Sequence, residues 1–315
     1  MNAVWSFWTR PYLGSEGAGW GPRWHTEWHH WLAWGISVYA AARYYPDTTL
    51  FTDDVGARLL VDSLELPFRH VSTALNRLKG EDPTWWALGK IEAYRRQREP
   101  FVHIDTDVFL WNPLPPDVEQ ADVFAQNPEP ISPYYRPEQL EDTVKSVRGG
   151  WLPKEWTAYR ADAKRAECCG VFGGNRLDFI THYADAAMRL VASPQNRRAL
   201  HSLDRKPEHM VLVEQYFLSA CIEYHRGRPG SPYQDIEPRY VFNSIEDAYR
   251  AETAMEAGFS HLASSAKEDP QVCADIEERV KRDLPRLYER CLRHAAARET
   301  SQPGSPRPAG HQRSR

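Results

Sequence analysis

The sequence predicts an α/β domain built on a mainly parallel central sheet flanked by helices. Three observations carry that expectation. Short β-prone runs alternate with helix-spaced segments over most of the 315 residues, the pattern of parallel strands joined by helical crossovers. The run Phe101-Val102-His103-Ile104 is apolar enough for a strand buried on both faces. Pro and Gly punctuate the chain between these segments.

In order, residues 4–8 form a first strand, and residues 14–21 a Gly-rich loop. Residues 24–45 place Trp24, Trp28, Trp31, Leu32, Ile36 and Tyr39 at three- and four-residue steps, a helix with one face inward. A strand over 48–52 stops at Asp53-Asp54, and helical spacing follows over 55–66. A helix over 85–98 ends before Pro100, ahead of the buried strand 101–104. Further strands are expected at 121–125, 169–172 and 240–242, with helices at 176–192, 211–225 and 270–298, the last broken at Pro285. Residues 127–167 are the least regular part. The expected organisation is one domain over 1–298 and a disordered Ser-, Pro-, Gly- and Arg-rich tail over 299–315.

Composition narrows the function. Lys plus Arg number 39 against 43 for Asp plus Glu, a formal charge of -4 that gives no general attraction to nucleic acid. No apolar run approaches the roughly 18 residues of a membrane span, and no secretory leader is visible, so a cytoplasmic location is expected. Cys168, Cys169, Cys221, Cys273 and Cys291 have no C-x-x-C spacing and read as buried reduced thiols. The 12 Trp and 15 Tyr supply core mass and also flat amphipathic surfaces on which sugars and bases stack.

The segment that carries chemistry is Asp105-Thr106-Asp107, placed where the apolar strand 101–104 meets solvent. Two carboxylates one residue apart can be held by a turn so that both address one Mg²⁺ or Mn²⁺ ion, and such an ion can neutralise a diphosphate. A polar strand exit with one Asp capping a turn is the plainer reading of the tripeptide.

With its context, the sequence resembles the metal-dependent glycosyltransferases of the GT-A fold, nearest the glycogenin-like and capsular-polysaccharide-type nucleotide-sugar transferases. The resemblance runs from about Val4 to Lys267. It implies a Rossmann-like sheet, a nucleoside-diphosphate-sugar donor, with UDP favoured, and an Asp-x-Asp at Asp105 and Asp107. Glu167-Cys168-Cys169-Gly170-Val171-Phe172-Gly173-Gly174 resembles the small-residue segment that floors the sugar pocket, with Cys168 where a polar residue is common. Glu214-Gln215 looks like the acidic-Gln pair beside the donor sugar, implying catalytic roles, Glu214 as a base and Gln215 as a sugar contact. His261 and Lys267 have the spacing of the family's H-x-x-G-x-x-K, with Ser264 in place of the Gly, and imply a third metal ligand and a phosphate cation. Trp8, Thr9, Asp53, Lys90, Thr106, Gly170 and Gly173 complete the implied nucleotide-sugar site. The acceptor is open: a glycan, a lipid-linked glycan, a small molecule or a peptide.

Plainer roles compete for several of these residues. Lys90 reads as a surface helix lysine, Asp53 as a turn cap, and His25, His29 and His30 as hydrophilic residues on the outer face of the Trp-rich helix. Trp24, Trp28 and Trp31 read as core, whereas Trp8, Tyr12 and Trp20 lie by the Gly-rich loop, where they could reach a nucleotide or acceptor. Two rival functions are a non-catalytic carbohydrate-binding protein using the aromatics, and a haloacid-dehalogenase-type phosphatase. The latter's motif wants Thr or Val where this chain has Phe109.

Overall fold

The computed structural model describes residues 1–13, 24–131, 135–159 and 165–301. Within them the strands are β1 (Asn2–Phe7), β2 (Thr48–Thr52), β3 (His70–Ser72), β4 (Phe101–Ile104), β5 (Val108–Leu110), β6 (Val123–Ala125), β7 (Pro128–Pro130), β8 (Arg165–Glu167), β9 (Val171–Gly174), β10 (Pro238–Tyr240) and β11 (Phe259–His261). Seven of them make one sheet in the order β10-β6-β9-β4-β1-β2-β3. Neighbours are parallel except at β9, which runs antiparallel to both β4 and β6.

Two-residue alternation sorts the strand side chains between two cores. Val4, Phe101 and Phe172 pack on one face against Ile91, Tyr94 and Tyr183 of the Leu88–Arg95 and Leu177–Ala192 helices. Ala3, Trp5, Phe7, Val102, Ile104 and Val171 face the other side, with Trp31 and Trp34 of the Glu27–Ala41 helix. Both faces are therefore covered, which is why β4 is apolar but for His103 and β2 is buried along its whole length, its three threonines included.

The order places β1 beside β4, while the chain leaves β1 toward β2 on its other side. That reversal leaves a crevice outside the carboxyl ends of the two strands, the place where open α/β sheets take ligands. The antiparallel β9 begins at this same edge, with Val171 opposite Ile104, so Gly170 comes to rest beside Asp105. The Asp105 amide donates to the Gly170 carbonyl at 2.9 Å.

Several expectations are corrected. The strand expected at 169–172 is β9, shifted by two residues, and the one expected at 240–242 ends at Tyr240. The helix expected over 211–225 starts at Lys206 and contains a π-helical turn, Leu212–Tyr216, before Phe217–His225. A helix-period pattern cannot see that insertion. A second π turn, Arg58–Ser63, occupies the segment expected to be a regular helix over 55–66. Residues 127–167 hold β7, β8 and the Pro137–Lys145 and Lys154–Ala158 helices. The expected break at Pro285 separates Pro270–Asp283 from Pro285–Ser301. The Gly-rich loop, Trp20 and residues 302–315 lie outside the described residues. Among the described residues no helix is long and apolar enough to cross a membrane.

Gly173 is the tightest point of the sheet. A Cβ there would stand 1.9 Å from the Phe101 carbonyl oxygen and 2.9 Å from the Phe124 ring. Overpacking of this kind costs about 1–3 kcal/mol or more, because backbone rather than a flexible side chain must give way. Gly173→Ala should lower the urea midpoint of unfolding by the equivalent of at least about 2 kcal/mol; a change below about 0.5 kcal/mol would contradict the close approach.

Candidate active site at the β1–β4 crevice

The crevice is a cleft of about 290 Å³ lined by Ser6, Phe7, Trp8, Pro11 and Tyr12 from β1 and its exit, by His103 to Asp107 from β4 and its exit, and by His30, Trp34, Trp86, Gly89, Lys90 and Lys267. Asp105 and Thr106 open a turn closed by the Val108 amide on the Asp105 carbonyl at 3.0 Å. The turn is anchored from below by a relay of hydrogen bonds. Trp5 Nε1 donates to Ser37 Oγ at 3.0 Å, and Ser37 Oγ donates to the Asp105 carbonyl at 3.1 Å. The Glu27–Ala41 helix thus holds the end of β4 in place.

Lys90 is the first finding that departs from sequence expectation. It is 8% exposed and buried under the turn, not a surface lysine, because the Leu88–Arg95 helix is buried along nearly its whole length. Its three donors are all used: Asp105 at 2.9 Å, Glu214 at 2.7 Å and the Cys169 carbonyl at 3.3 Å. Burial lowers the Lys90 pKa, but Asp105 and Glu214 outweigh it and hold the ammonium above its ordinary value. Burial pushes the Asp105 carboxyl up, against the pull of Lys90 and with Asp107 and Glu214 adding to the rise, to about 7.

Asp107 is served by other elements. The antiparallel pair β5–β11 sets His261 opposite Val108, and the Leu262 amide donates to the Asp107 carbonyl at 2.9 Å. His261 Nε2 consequently faces Asp107 Oδ1 at 3.8 Å, and the Lys267 ammonium forms an ion pair with the other oxygen. Burial pushes Asp107 up, but Lys267 and His261 outweigh it and hold it at about 2. Burial pulls His261 down to about 4, so its imidazole is neutral. Gly170 makes room for that ring: a Cβ would lie 2.9 Å from His261 Cε1 and 2.2 Å from Gln126 Oε1.

The remaining expected residues are distributed as follows. Glu214 is fully buried, bound by Lys90 and by the Tyr94 hydroxyl at 3.0 Å. It lies beneath the turn and is not part of the cleft lining. Gln215 accepts from the Tyr135 hydroxyl at 2.7 Å, and Tyr135 also reaches Glu129 at 2.9 Å. Asp53 caps the Asp54–Ala57 turn through the Gly56 amide at 2.9 Å and accepts from the Thr9 amide at 2.8 Å and from the Thr9 hydroxyl. Those bonds occupy both its oxygens and make the Asp53–Thr9 pair a fastener between the exits of β1 and β2. Trp8 and Thr106 line the cleft, whereas Gly173 sits within the sheet. His29 and His30 are buried, not on an outer face; His30 stacks on Tyr12 at 5.5 Å and lines the cleft. Trp24 and Trp31 are core as expected.

A second cavity, about 310 Å³, lies between Arg10, Glu81, Asp82, Trp85 and Arg197. Its cations are committed, Arg10 to the Lys79 and Glu81 carbonyls and Arg197 to the Glu81 carboxylate at 2.7 Å, so of these two cavities the β1–β4 crevice is the one with charges able to turn to a ligand.

A family model matches residues 1–294 of the chain. The chain belongs to DUF6734, a family of unknown function. No curated protein matches it. Among solved structures, this DUF6734 member is similar to the crystal structure of a galactosyltransferase, LgtC, in complex with donor and acceptor sugar analogs. The match has a TM-score of 0.39 and 10% identity, and covers 87% of this chain and 96% of that one. So loose a likeness assigns no residue and no activity.

Removing the Lys90 charge leaves the buried Glu214 and the partly exposed Asp105 without their cation, a loss of about 3–5 kcal/mol for a broken buried pair. Lys90→Met should show that deficit in denaturant titrations. It should be largest above neutrality and shrink as the pH falls. Without Lys90 the Asp105 pKa rises further above its unfolded value, so the folded state binds the extra proton and gains on acidification. A deficit independent of pH would place Asp105 outside the pair.

Proposed function

We propose that this chain is a glycosyltransferase that moves a sugar from a nucleoside-diphosphate donor to an acceptor hydroxyl, with the diphosphate bound over the Asp105-Thr106-Asp107 turn. The observation that carries the reading is the set of charges gathered at the β1–β4 crevice. Three carboxylates, Asp105, Asp107 and Glu214, stand against two ammonium groups, Lys90 and Lys267. With all three ionised the cluster is one positive charge short, and a divalent cation reverses the sign, draws Asp105 into its ionised form and favours a diphosphate.

The residues present suit Mn²⁺ or Mg²⁺. Asp107 and His261 stand 3.8 Å apart, and Asp105, on the same turn but drawn to Lys90, would join them as a third hard ligand only by swinging its carboxylate toward them. Asp105, Asp107 and His261 would hold the ion, which supplies Lewis-acid neutralisation of the leaving diphosphate. Lys267 is the mobile cation: when its carboxylate partner turns to the metal, its ammonium is free for a phosphate oxygen. Lys90 has no donor to spare and acts as fixed positive charge beneath the turn. Glu214 holds Lys90 there, and Gln215, braced by Tyr135, is the polar group assigned to the sugar. Trp8, Tyr12 and Trp86 give the cleft aromatic walls for a base or sugar ring. UDP is the preferred nucleotide, on the motif resemblance. The acceptor class is set by segments outside the turn and is not assigned.

Thermal-shift titrations with UDP, GDP, CDP and ADP, each with and without Mn²⁺, test the reading. One nucleotide should raise the melting temperature by several degrees at about 100-fold excess over its Kd, and only with metal. Asp107→Ala should lose that shift, and an Asp107→Ala protein that keeps it in full sinks the assignment. A protein that ignores every nucleotide yet is stabilised by free oligosaccharides would instead be a carbohydrate-binding member of the same fold.

A further inference from the structure

Three side chains outside the cleft converge on one point. Glu155 lies in the Lys154–Ala158 helix, His182 in the middle of Leu177–Ala192, and His225 at the end of Phe217–His225. His182 Nε2 is 3.0 Å from Glu155 Oε1, His225 Nε2 is 3.3 Å from the same oxygen, and the two Nε2 atoms are 3.3 Å apart. The three donor atoms thus form a nearly equilateral triangle.

We propose that Glu155, His182 and His225 are the three protein ligands of a zinc site. A tetrahedral ion with bonds of about 2.0–2.1 Å to nitrogen and oxygen has ligand-to-ligand edges of about 3.3–3.4 Å, which the triangle already approaches. Two imidazoles and one carboxylate suit Zn²⁺ better than the hard ions assigned to the crevice. The site is also braced from outside. Ser231 Oγ lies 2.7 Å from His225 Nδ1 and accepts the Tyr233 amide at 3.1 Å, so it can take the Nδ1 proton and leave the Nε2 lone pair for metal.

Charge points the same way. The Glu155 side chain is 3% exposed, and among the described residues its ion pairs run to the two histidines alone, with no Lys or Arg on it. A buried carboxylate needs a positive partner, and a divalent ion supplies one without either ring being protonated. The His182 side chain is 32% exposed, so the fourth corner opens to solvent and takes a water. Among the described residues this is the one group of His, Cys, Asp and Glu with ligand atoms all within 4.8 Å of one another. It shares no residue with the cleft and does not depend on the function proposed there. A bound ion would clip together three helices, one of which continues from the turn that carries Glu214 and Gln215.

The test uses the full chain, stripped with a chelator and titrated with Zn²⁺ against a chromogenic competitor, then with Co²⁺ as a spectroscopic substitute. Wild type should take up one tight equivalent of zinc, rise in melting temperature with it, and give the visible absorption of tetrahedral Co²⁺. His182→Ala changes a partly exposed residue and should keep the wild-type circular dichroism while binding zinc at least 100-fold more weakly and losing the cobalt band. Glu155→Gln should behave likewise, and Asp107→Ala should retain both signals. A chain without a tight zinc equivalent, or one whose zinc survives His182→Ala and Glu155→Gln but disappears in Asp107→Ala, would overturn the proposal and leave a hydrogen-bonded triad.

Discussion

The buried ammonium of Lys90 is the interaction on which the crevice depends. It joins three parts of the chain that are distant in sequence: the Leu88–Arg95 helix, the exit of β4 at Asp105, and the π turn that holds Glu214. Its third hydrogen bond, to the Cys169 carbonyl, adds the approach to β9. A charge in such surroundings is tolerated only when every donor is matched, and here three donors meet three acceptors. The two carboxylates beneath and beside the turn are in turn tolerated only because the ammonium is there. Helix, strand and π turn are thus tied through one ammonium.

Asp107 is governed by a separate device. The short ladder between β5 and β11 carries His261 and, six residues on, Lys267 to the far side of the turn. The two aspartates of one tripeptide therefore answer to different elements and differ in acidity: Asp105 is pushed up to about 7 while Asp107 is held at about 2. This division follows from the turn: residues i and i+2 of a continuous strand share a face, and the break after Ile104 sends the two carboxylates toward different neighbours.

What could be read from sequence followed from physics that is local. β4 was readable because a strand buried on both faces is a mainly apolar run, β2 because its β-branched and apolar residues stop at Asp53-Asp54, and the Pro270–Asp283 helix because its spacing breaks at Pro285. The crevice was readable from Asp105-Thr106-Asp107, since a strand that ends in two carboxylates is an unusual exit. Lys90 was not readable as buried, because its partners lie 15 and 124 positions away and a helix carrying Gly89, Lys90 and Glu92 looks solvated. His29 and His30 misled for the same reason: the Glu27–Ala41 helix is covered nearly all round by the C-terminal helices and the sheet, so it has no polar face to read. The antiparallel sense of β9 left no local mark either. Glu155, His182 and His225 carry no motif spacing, and only the packing of three helices brings them together.

The five cysteines give the fold an independence that has nothing to do with its cleft. All are buried and unpaired, and burial pushes the pKa of the Cys168, Cys169 and Cys221 thiols well above the ordinary thiol value and that of Cys291 up to about 12. Thiolate is the reactive form, so these groups stay inert while the chain is folded and become nucleophiles only when it opens. The native state holds these five thiols without a disulfide among them, and any loss of packing exposes them to reagent. Alkylation of these thiols is a built-in clock for opening, with Cys169 and Cys221 timing one core and Cys273 and Cys291 the other.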